Sequence, residues 1–185
     1  MLPAASGQLA TRTQDGQSSI MRIPQPRLMG LIGSALAAAA LGFALATEAW
    51  GGLVPCALCL WERWPYRVAV VLGLLVVAMP RALLKPGIVV LVLTILAASL
   101  LAAVHTGVEF GWWRSPLPEC AAPVFSGGSI AERLKAMPAM PGKPCDEPTF
   151  LIPFLPVSMA VMNFLFSLAL AAFVAGSLRK RPRFR

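Results

Sequence analysis

The sequence predicts an all-α membrane protein, a bundle of four transmembrane helices. The chain has 185 residues, of which 57% are hydrophobic and only 13% charged, and its mean hydropathy is +0.72. A chain of this length and composition is too apolar for a soluble domain and is typical of a polytopic membrane protein. Apolar runs occur at 28–46, 68–79, 88–104 and 157–177. Because about 20 apolar residues are needed to cross the hydrocarbon core, we expect four spans.

The first run, 28–46, is long enough to cross the membrane. It is rich in small residues, and Gly30, Ser34 and Ala38 are spaced four apart, so one helix face allows a neighbouring helix to approach closely. The alternative is a cleaved signal peptide, because Ala44-Leu45-Ala46 resembles a cleavage site. The run is longer than the apolar segment of a typical signal peptide, which favours an uncleaved first span.

The second and third runs are joined by a short turn at 80–86. Residues 50–64 are expected to form a loop before the second span, and Pro65 suits the first turn of the helix that follows. The second run is short, so it must include 64–67 or lie where the bilayer is thin. The third span is expected to end near His105.

A long polar loop at about 106–156 precedes the fourth span. It is rich in proline and glycine, with one short amphipathic helix predicted at 129–137. The complete organisation is then a disordered cytoplasmic extension at 1–27, a four-helix transmembrane domain at 28–178 and a basic cytoplasmic tail at 179–185.

The net charge of +8 is distributed in a way that argues against nucleic-acid binding. Most of the 16 basic residues lie in the N-terminal extension, in the 80–86 turn and in the C-terminal tail, which four spans place on one side of the bilayer. The positive-inside rule makes that side cytoplasmic. All acidic residues except Asp15, and all five tryptophans, fall on the other side, where the tryptophans resemble an interfacial belt. Both cysteine-bearing loops are therefore predicted to be periplasmic.

Cys56 and Cys59 form a Cys-x-x-Cys pair at or just before the start of the second helix. The thiolate is the reactive form of cysteine, and a helix N-terminus stabilises an anion. Arg63 lies one turn further on and adds a positive charge beside Cys59. A pair of inert cysteines, or half of a metal site, is the alternative. The position next to Arg63, facing an oxidising compartment, favours redox chemistry.

Cys120 and Cys145 lie in the second loop and enclose residues 121–144. A structural disulfide here would stabilise the protein by about 3 kcal/mol. The polar neighbours Glu119, Asp146 and Glu147 predict an exposed pair that could also exchange with a soluble protein. The residues alone leave both interpretations open.

Four ionisable side chains lie at the predicted membrane edge: Glu62, Arg63, His105 and Glu109. Ionisable groups at a membrane are costly to dehydrate and often mark a functional site. Arginine can donate hydrogen bonds to the carbonyl of a lipid-like ligand, and histidine can transfer protons. Snorkelling of Arg63 and an exposed His105 are the alternatives. Asn163, in the fourth run, is expected to make an interhelical hydrogen bond.

The stretch 55–66, Pro-Cys-Ala-Leu-Cys-Leu-Trp-Glu-Arg-Trp-Pro-Tyr, closely resembles the signature of the disulfide bond formation protein B (DsbB) family. The resemblance includes the four spans, the two loops, the stretch 105–109 (His-Thr-Gly-Val-Glu) and a cysteine pair in the second loop. It covers about 28–176 and leaves the N-terminal extension unmatched.

The resemblance implies an enzyme, a quinone-dependent protein-disulfide oxidoreductase of the bacterial inner membrane. Such proteins reoxidise a periplasmic thioredoxin-fold dithiol oxidase, DsbA, and pass the electrons to a membrane quinone, ubiquinone or menaquinone. By the resemblance, Cys120 forms the mixed disulfide with the partner and Cys145 exchanges with Cys56. Cys59 is then the thiolate that contacts the quinone, which Arg63 and, less securely, His105 help to bind.

Two other functions fit the same residues. A membrane metal-binding or transport protein could use the four cysteines and His105 as soft ligands. Unprotected thiolates would not persist on an oxidising side, and the spans lack the acids and histidines of an ion path, so this function is disfavoured. The other is a structural four-helix membrane protein with two inert disulfides, which only thiol reactivity would distinguish.

Overall fold

The protein is described here by a computed structural model that covers residues 25–120, 129–132, 143–151 and 156–179. Four long helices make up most of these residues: α1 (Gln25–Ala49), α2 (Ala57–Ala78), α3 (Leu84–Glu109) and α4 (Met159–Arg179). Short 3₁₀ turns occur at Arg81–Leu83 and Pro118–Cys120. The described residues contain no strand, only two isolated bridges. The prediction of an all-α protein is confirmed.

Among the residues that the structure describes, three segments are long and apolar enough to cross a membrane: Gln25–Ala49, Arg81–Glu109 and Met159–Leu178. They make this a multi-pass membrane protein. The remaining helix, α2, has 22 residues but carries Glu62, Arg63 and Arg67 in its first half. Because these charges lower its mean hydropathy, the fourth span stays a prediction.

Helices α1 and α2 pack closely because small residues line their contact. A Cβ atom added to Gly73 would approach the carbonyl oxygen of Gly30 to 2.6 Å, and the Ser34 hydroxyl donates a hydrogen bond to the Val70 carbonyl at 2.9 Å. The predicted close-approach face is therefore present at Gly30 and Ser34. The prediction for Ala38 was wrong, because that residue is exposed. The buried face follows the helical i, i+3, i+4, i+7 spacing instead: Gly30, Gly33, Ser34 and Ala37.

The apolar core lies in the half of the bundle that is remote from the cysteines. It is centred on α3, which packs against both α2 and α4. Its members are Ala37 of α1, Tyr66, Ala69 and Val76 of α2, Leu84, Ile88, Leu91, Ile95 and Ala98 of α3, and Leu170, Ala171 and Val174 of α4. Because this core fixes the helices relative to one another, the polar side chains at the cysteine end of the bundle are held in position.

Several helix boundaries differ from the expected ones, and two of the changes affect the cysteine end. Helix α1 begins at Gln25, so residues 25–27 of the extension predicted to be disordered are helical. Helix α2 begins at Ala57, not after residue 64, because Cys56 serves as its N-cap. Pro65 consequently lies inside α2, not in its first turn. Helix α3 continues past His105 to Glu109, and Gly111 (φ 70°) ends it in the left-handed region that glycine tolerates. The end of the first predicted loop, 57–64, and the start of the second, 106–109, are thus helical.

Parts of several predictions lie outside the described residues. These are the disordered extension up to residue 24, the basic tail from residue 180 and most of the amphipathic helix at 129–137. Of that helix, residues 130–132 are described and are helical.

Candidate functional site

All four cysteines lie at the same end of the bundle. The buried residues Cys56, Cys120 and Cys145 form one apolar cluster with Leu58 and Val108. Cys59, Ala57 and Leu117 pack against this cluster. The main chain of Cys56 also forms a parallel bridge with Lys143, which lies two residues before Cys145. The fold therefore brings the two cysteine pairs together.

Cys120 and Cys145 form a disulfide bond. The prediction that this pair is exposed was wrong, because Cys120 is 5% exposed and Cys145 is fully buried. Glu119, Asp146 and Glu147 are exposed as expected. The sequence suggested exposure because these polar neighbours flank the cysteines, but the sulfur atoms turn inward to the apolar cluster. A partner that exchanges with this disulfide therefore requires the loop to move.

Cys56 and Cys59 are free thiols whose Sγ atoms lie 3.1 Å apart. The backbone N–H of Cys59 donates to Cys56 Sγ at 3.3 Å, which is the usual N-cap contact of a helix. Hydrogen bonding by the Cys59 thiol, helped by His105, lowers the pKa of Cys56 to about 4 although burial opposes the shift. The sequence predicted the favoured thiolate at Cys59; in this arrangement Cys56 is the sulfur that receives the hydrogen bonds.

His105 is buried, with only 3% of its surface exposed, and bridges the thiols to α2. Its Nε2 atom lies 3.5 Å from Cys56 Sγ, and its Nδ1 atom lies 2.8 Å from Glu62 Oε1. A carboxylate at Nδ1 favours the tautomer that has its proton there, which leaves the Nε2 lone pair directed at Cys56. The possibility of an exposed histidine is excluded by this burial.

Glu62 is held by a second hydrogen bond from α4. Asn163 Nδ2 donates to Glu62 Oε2 at 2.6 Å, and the Tyr66 hydroxyl donates to Asn163 Oδ1 at 2.6 Å. The expectation of an interhelical hydrogen bond at Asn163 is confirmed. The sequence did not identify its partners, because Glu62 and Asn163 are 101 positions apart. The only signal was a polar residue inside an apolar span.

Glu109 lies on the other side of His105. Its Oε1 atom is 4.0 Å from His105 Nε2, and its other oxygen accepts a hydrogen bond from the Ser158 hydroxyl. Ser158 also caps α4 by accepting from the Val161 N–H. Two carboxylates, Glu62 and Glu109, therefore face one imidazole.

Arg63 forms an ion pair with Glu48, the two side chains being 2.8 Å apart. The alternative of a snorkelling Arg63 does not describe this residue, because its side chain is 10% exposed and bound to a neighbouring helix. Glu48 was not predicted as a site residue. The signal that could have identified it is an acid in the last turn of an otherwise apolar span.

A cavity of about 520 Å³ lies next to the cysteines, bounded by α1, α2, α4 and the end of α3. Most of its lining is aliphatic or aromatic, such as Leu36 and Phe166. The polar and reactive side chains that line it are Cys59, Glu62, Arg63, Tyr66, His105, Glu109 and Asn163. An apolar cavity with a few directed polar groups is the usual form of a small-molecule site.

The fold and this site define a multi-pass membrane protein with two adjoining cysteine pairs, one of them oxidised. Comparison with known families gives a match to the family described as disulfide bond formation protein DsbB over residues 26–176. The chain belongs to the DsbB family, and this membership implies membrane disulfide oxidoreductase activity. It favours that activity over a metal transporter or an inert structural protein.

One relative is an uncharacterized protein of Rickettsia prowazekii (strain Madrid E). It is 27% identical over 150 residues, which cover 80% of this chain and 85% of the relative. No solved structure matches the chain.

Proposed function

We propose that this protein reoxidises a periplasmic DsbA-like dithiol oxidase and passes the electrons to a membrane quinone. The observation that carries the proposal is the position of the first cysteine pair. Cys56 belongs to the same apolar cluster as the Cys120–Cys145 disulfide, and Cys59 lines the cavity on the other side. A pair in this position is suited to take electrons from one side and deliver them to the other.

The cavity fits a quinone head group. Its volume is within the roughly 300–1,000 Å³ of typical ligand sites, and its apolar walls suit a ring and an isoprenoid tail. Arg63 is the donor that would hold a ring carbonyl, with Cys59 beside it. His105 would become a second donor once its Nε2 atom has taken the proton of Cys56. When bound, a quinone accepts two electrons and two protons. Ubiquinone and menaquinone both meet these requirements.

The thiol steps use the four cysteines in order. A thiolate of the partner attacks Cys120, which breaks the Cys120–Cys145 bond, forms the mixed disulfide and releases Cys145 as a thiolate. Cys145 then attacks Cys56 of an oxidised Cys56–Cys59 pair, and Cys59 leaves as a thiolate. The second thiol of the partner then attacks the partner sulfur of the mixed disulfide, which releases the oxidised partner and Cys120 as a thiolate. Cys120 attacks Cys145 of the Cys145–Cys56 bond, which restores the Cys120–Cys145 disulfide and leaves Cys56 and Cys59 with the two electrons.

His105 and Glu62 would control the protons of Cys56. Nε2 of His105 lies 3.5 Å from Cys56 Sγ and takes the thiol proton when Cys56 becomes a thiolate. Glu62 stabilises the resulting imidazolium and keeps the ring oriented through its 2.8 Å contact with Nδ1. This thiol, base and orienting carboxylate come from the start of α2, from α3 and from α2 in turn, and Asn163 fixes the carboxylate.

We further propose that α2 is the fourth span and that the cysteine end is periplasmic in the bacterial inner membrane. At 1.5 Å per residue, 22 residues of helix are about 33 Å long, enough for the hydrocarbon core. The basic residues at the opposite end, such as Arg27, Arg81 and Lys85, support this orientation.

The experiment that tests the function uses the purified protein in detergent with quinone and a reduced DsbA-like partner. We expect quinol to form, detected by the loss of quinone absorbance, and one partner disulfide to form per quinol. The matched control is Cys56→Ser, which should abolish quinol formation. Partner oxidation without quinol formation would refute the quinone assignment, and inert cysteines would refute the oxidoreductase.

A further inference from the structure

We propose that the reduced first pair, together with His105, is a binding site for one soft divalent metal ion of the zinc class. The ligand atoms are Cys56 Sγ, Cys59 Sγ and His105 Nε2, which all lie within 4.8 Å of one another. Two thiolates and one imidazole are a common zinc ligand set when the fourth position remains open. The binding itself does not depend on the proposed quinone chemistry.

The distances fit such an ion with one small adjustment. Zinc–sulfur bonds of about 2.3 Å and zinc–nitrogen bonds of about 2.0–2.1 Å at tetrahedral angles separate sulfur from nitrogen by about 3.6 Å. Cys56 Sγ and His105 Nε2 are 3.5 Å apart. The two sulfur atoms are 3.1 Å apart and must separate to about 3.8 Å. Cys59 can make this movement because it is only partly buried and borders the cavity.

The groups around the three ligands are those that orient a metal-binding histidine. Glu62 accepts from Nδ1, so Nε2 is presented with its lone pair free for an ion, as in carboxylate–histidine–zinc arrangements. Asn163 in turn holds Glu62 at 2.6 Å. These contacts already exist, so binding requires little rearrangement of the histidine.

The local charge also favours a cation. Glu62 and Glu109 both face His105. Among the residues that line the described cavity, Arg63 is the one arginine or lysine, and its charge is paired with Glu48. Glu109 Oε1, 4.0 Å from His105 Nε2, lies outside the group of three ligand atoms and would reach the fourth position through a water molecule. Each thiol that binds does so as thiolate, so binding releases the thiol protons to solvent.

The chemical consequence concerns the redox state of the pair. The ion binds only when Cys56 and Cys59 are both thiols, because a disulfide offers no thiolate. A bound ion in turn occupies the lone pairs that would attack a disulfide or donate electrons. If the proposed function holds, zinc-class ions therefore inhibit the enzyme by trapping its reduced first pair.

The test uses the Cys120→Ser/Cys145→Ser protein in detergent, in which Cys56 and Cys59 are the remaining thiols. The protein is reduced with a phosphine, the phosphine is removed under anaerobic conditions, and the protein is titrated with Co²⁺ alone. We expect one equivalent of Co²⁺ to give thiolate-to-cobalt charge-transfer bands and the strong visible bands of tetrahedral cobalt, and Zn²⁺ to remove both. The same sample after oxidation to the Cys56–Cys59 disulfide should give neither, and this control needs no further substitution.

Two variants separate this site from adventitious binding. His105→Gln should weaken Co²⁺ affinity at least tenfold, and Glu62→Gln, which changes the group behind the ligand, should weaken it to a similar or smaller extent. The proposal is overturned if reduced protein shows no stoichiometric cobalt bands, or if His105→Gln binds as tightly as its parent. Cobalt bands in this variant, together with failure of the protein with all four cysteines to reduce quinone, would instead refute the proposed function alone.

Discussion

Glu48 and Arg63 form an ion pair of 2.8 Å that joins the last turn of α1 to α2. Arg63 also lines the cavity, so one guanidinium is shared between a fixed carboxylate and the space that we assign to a quinone. Glu48 is 41% exposed and Arg63 only 10%, which makes the arginine the anchored partner. This pair explains why the Arg63 side chain is buried between helices and not exposed on the outer surface of the bundle.

The first prediction concerns Arg63 and quinone binding. Arg63→Lys retains the charge but loses the planar fork, so we expect the KM for quinone to rise about tenfold, equivalent to one hydrogen bond of about 1.4 kcal/mol, with a smaller fall in kcat. Arg63→Ala should raise KM and lower kcat together. Steady-state quinone reduction measures both constants. Glu119→Gln, which removes an exposed acid, is the control, and an Arg63→Ala enzyme with normal constants would place the quinone site elsewhere.

The second prediction concerns the pH at which Cys56 ionises. In Cys59→Ser, where the disulfide is intact, Cys56 is the remaining free thiol and the serine hydroxyl can still donate to it. Cysteine usually ionises at about pH 8.5. We expect the thiolate absorbance of Cys56 to persist well below that pH and to disappear only as the pH falls towards its lowered pKa of about 4. Adding His105→Gln removes a group that lowers this pKa, so the midpoint should move to higher pH. An ordinary midpoint in both proteins would contradict the role of His105.

The third prediction concerns capture of the partner. In Cys145→Ala, Cys120 has no resolving thiol within the second loop, so a mixed disulfide with a DsbA-like oxidase should become the main product. Cys120→Ala should give no such adduct. Non-reducing gel electrophoresis detects the species. An adduct that survives Cys120→Ala but is lost in Cys59→Ala would reverse the assigned roles of the two pairs.

The fourth prediction concerns membrane topology. Reporter fusions at Lys85 and Ser129 should report opposite sides of the membrane, with Lys85 cytoplasmic, because basic residues concentrate near the 80–86 turn. Alkaline phosphatase activity and fluorescent-protein folding give complementary readouts. Equal signals at both positions would mean that α3 does not cross the bilayer.

The fifth prediction concerns the contact between α1 and α2. Gly73→Ala places a methyl group against the main chain of Gly30 and against Ser34, which should cost about 1–3 kcal/mol. Gly42 provides the matched control, because a Cβ there meets no atom within 4 Å. Gly42→Ala should change stability by no more than about 1 kcal/mol and in the stabilising direction. Thermal unfolding in detergent measures the stability of both variants. Equal stabilities would contradict the close packing of α1 against α2 at Gly73.

The sequence predicted the reactive residues better than their contacts. Hydropathy and charge were enough for the helices, and the Cys-x-x-Cys pattern with Arg63 identified the site. The burial of Cys145 and the pairing of Arg63 with Glu48 were not predictable, because both depend on how separate helices pack. The spacing along the helix predicted that Arg63 lies beside Cys59. Tertiary packing instead pairs the Arg63 guanidinium with Glu48 of α1.

The main-chain bridge between Cys56 and Lys143 limits how the second loop can be altered. Lys143 is two residues from Cys145, so this bridge sets where the chain enters the buried disulfide. Adding or deleting one residue between them would displace the Cys145 sulfur from the cluster while leaving every cysteine in the chain. Chimaeras that exchange the second loop between relatives should therefore keep the spacing from 143 to 145 unchanged and place their junctions before it.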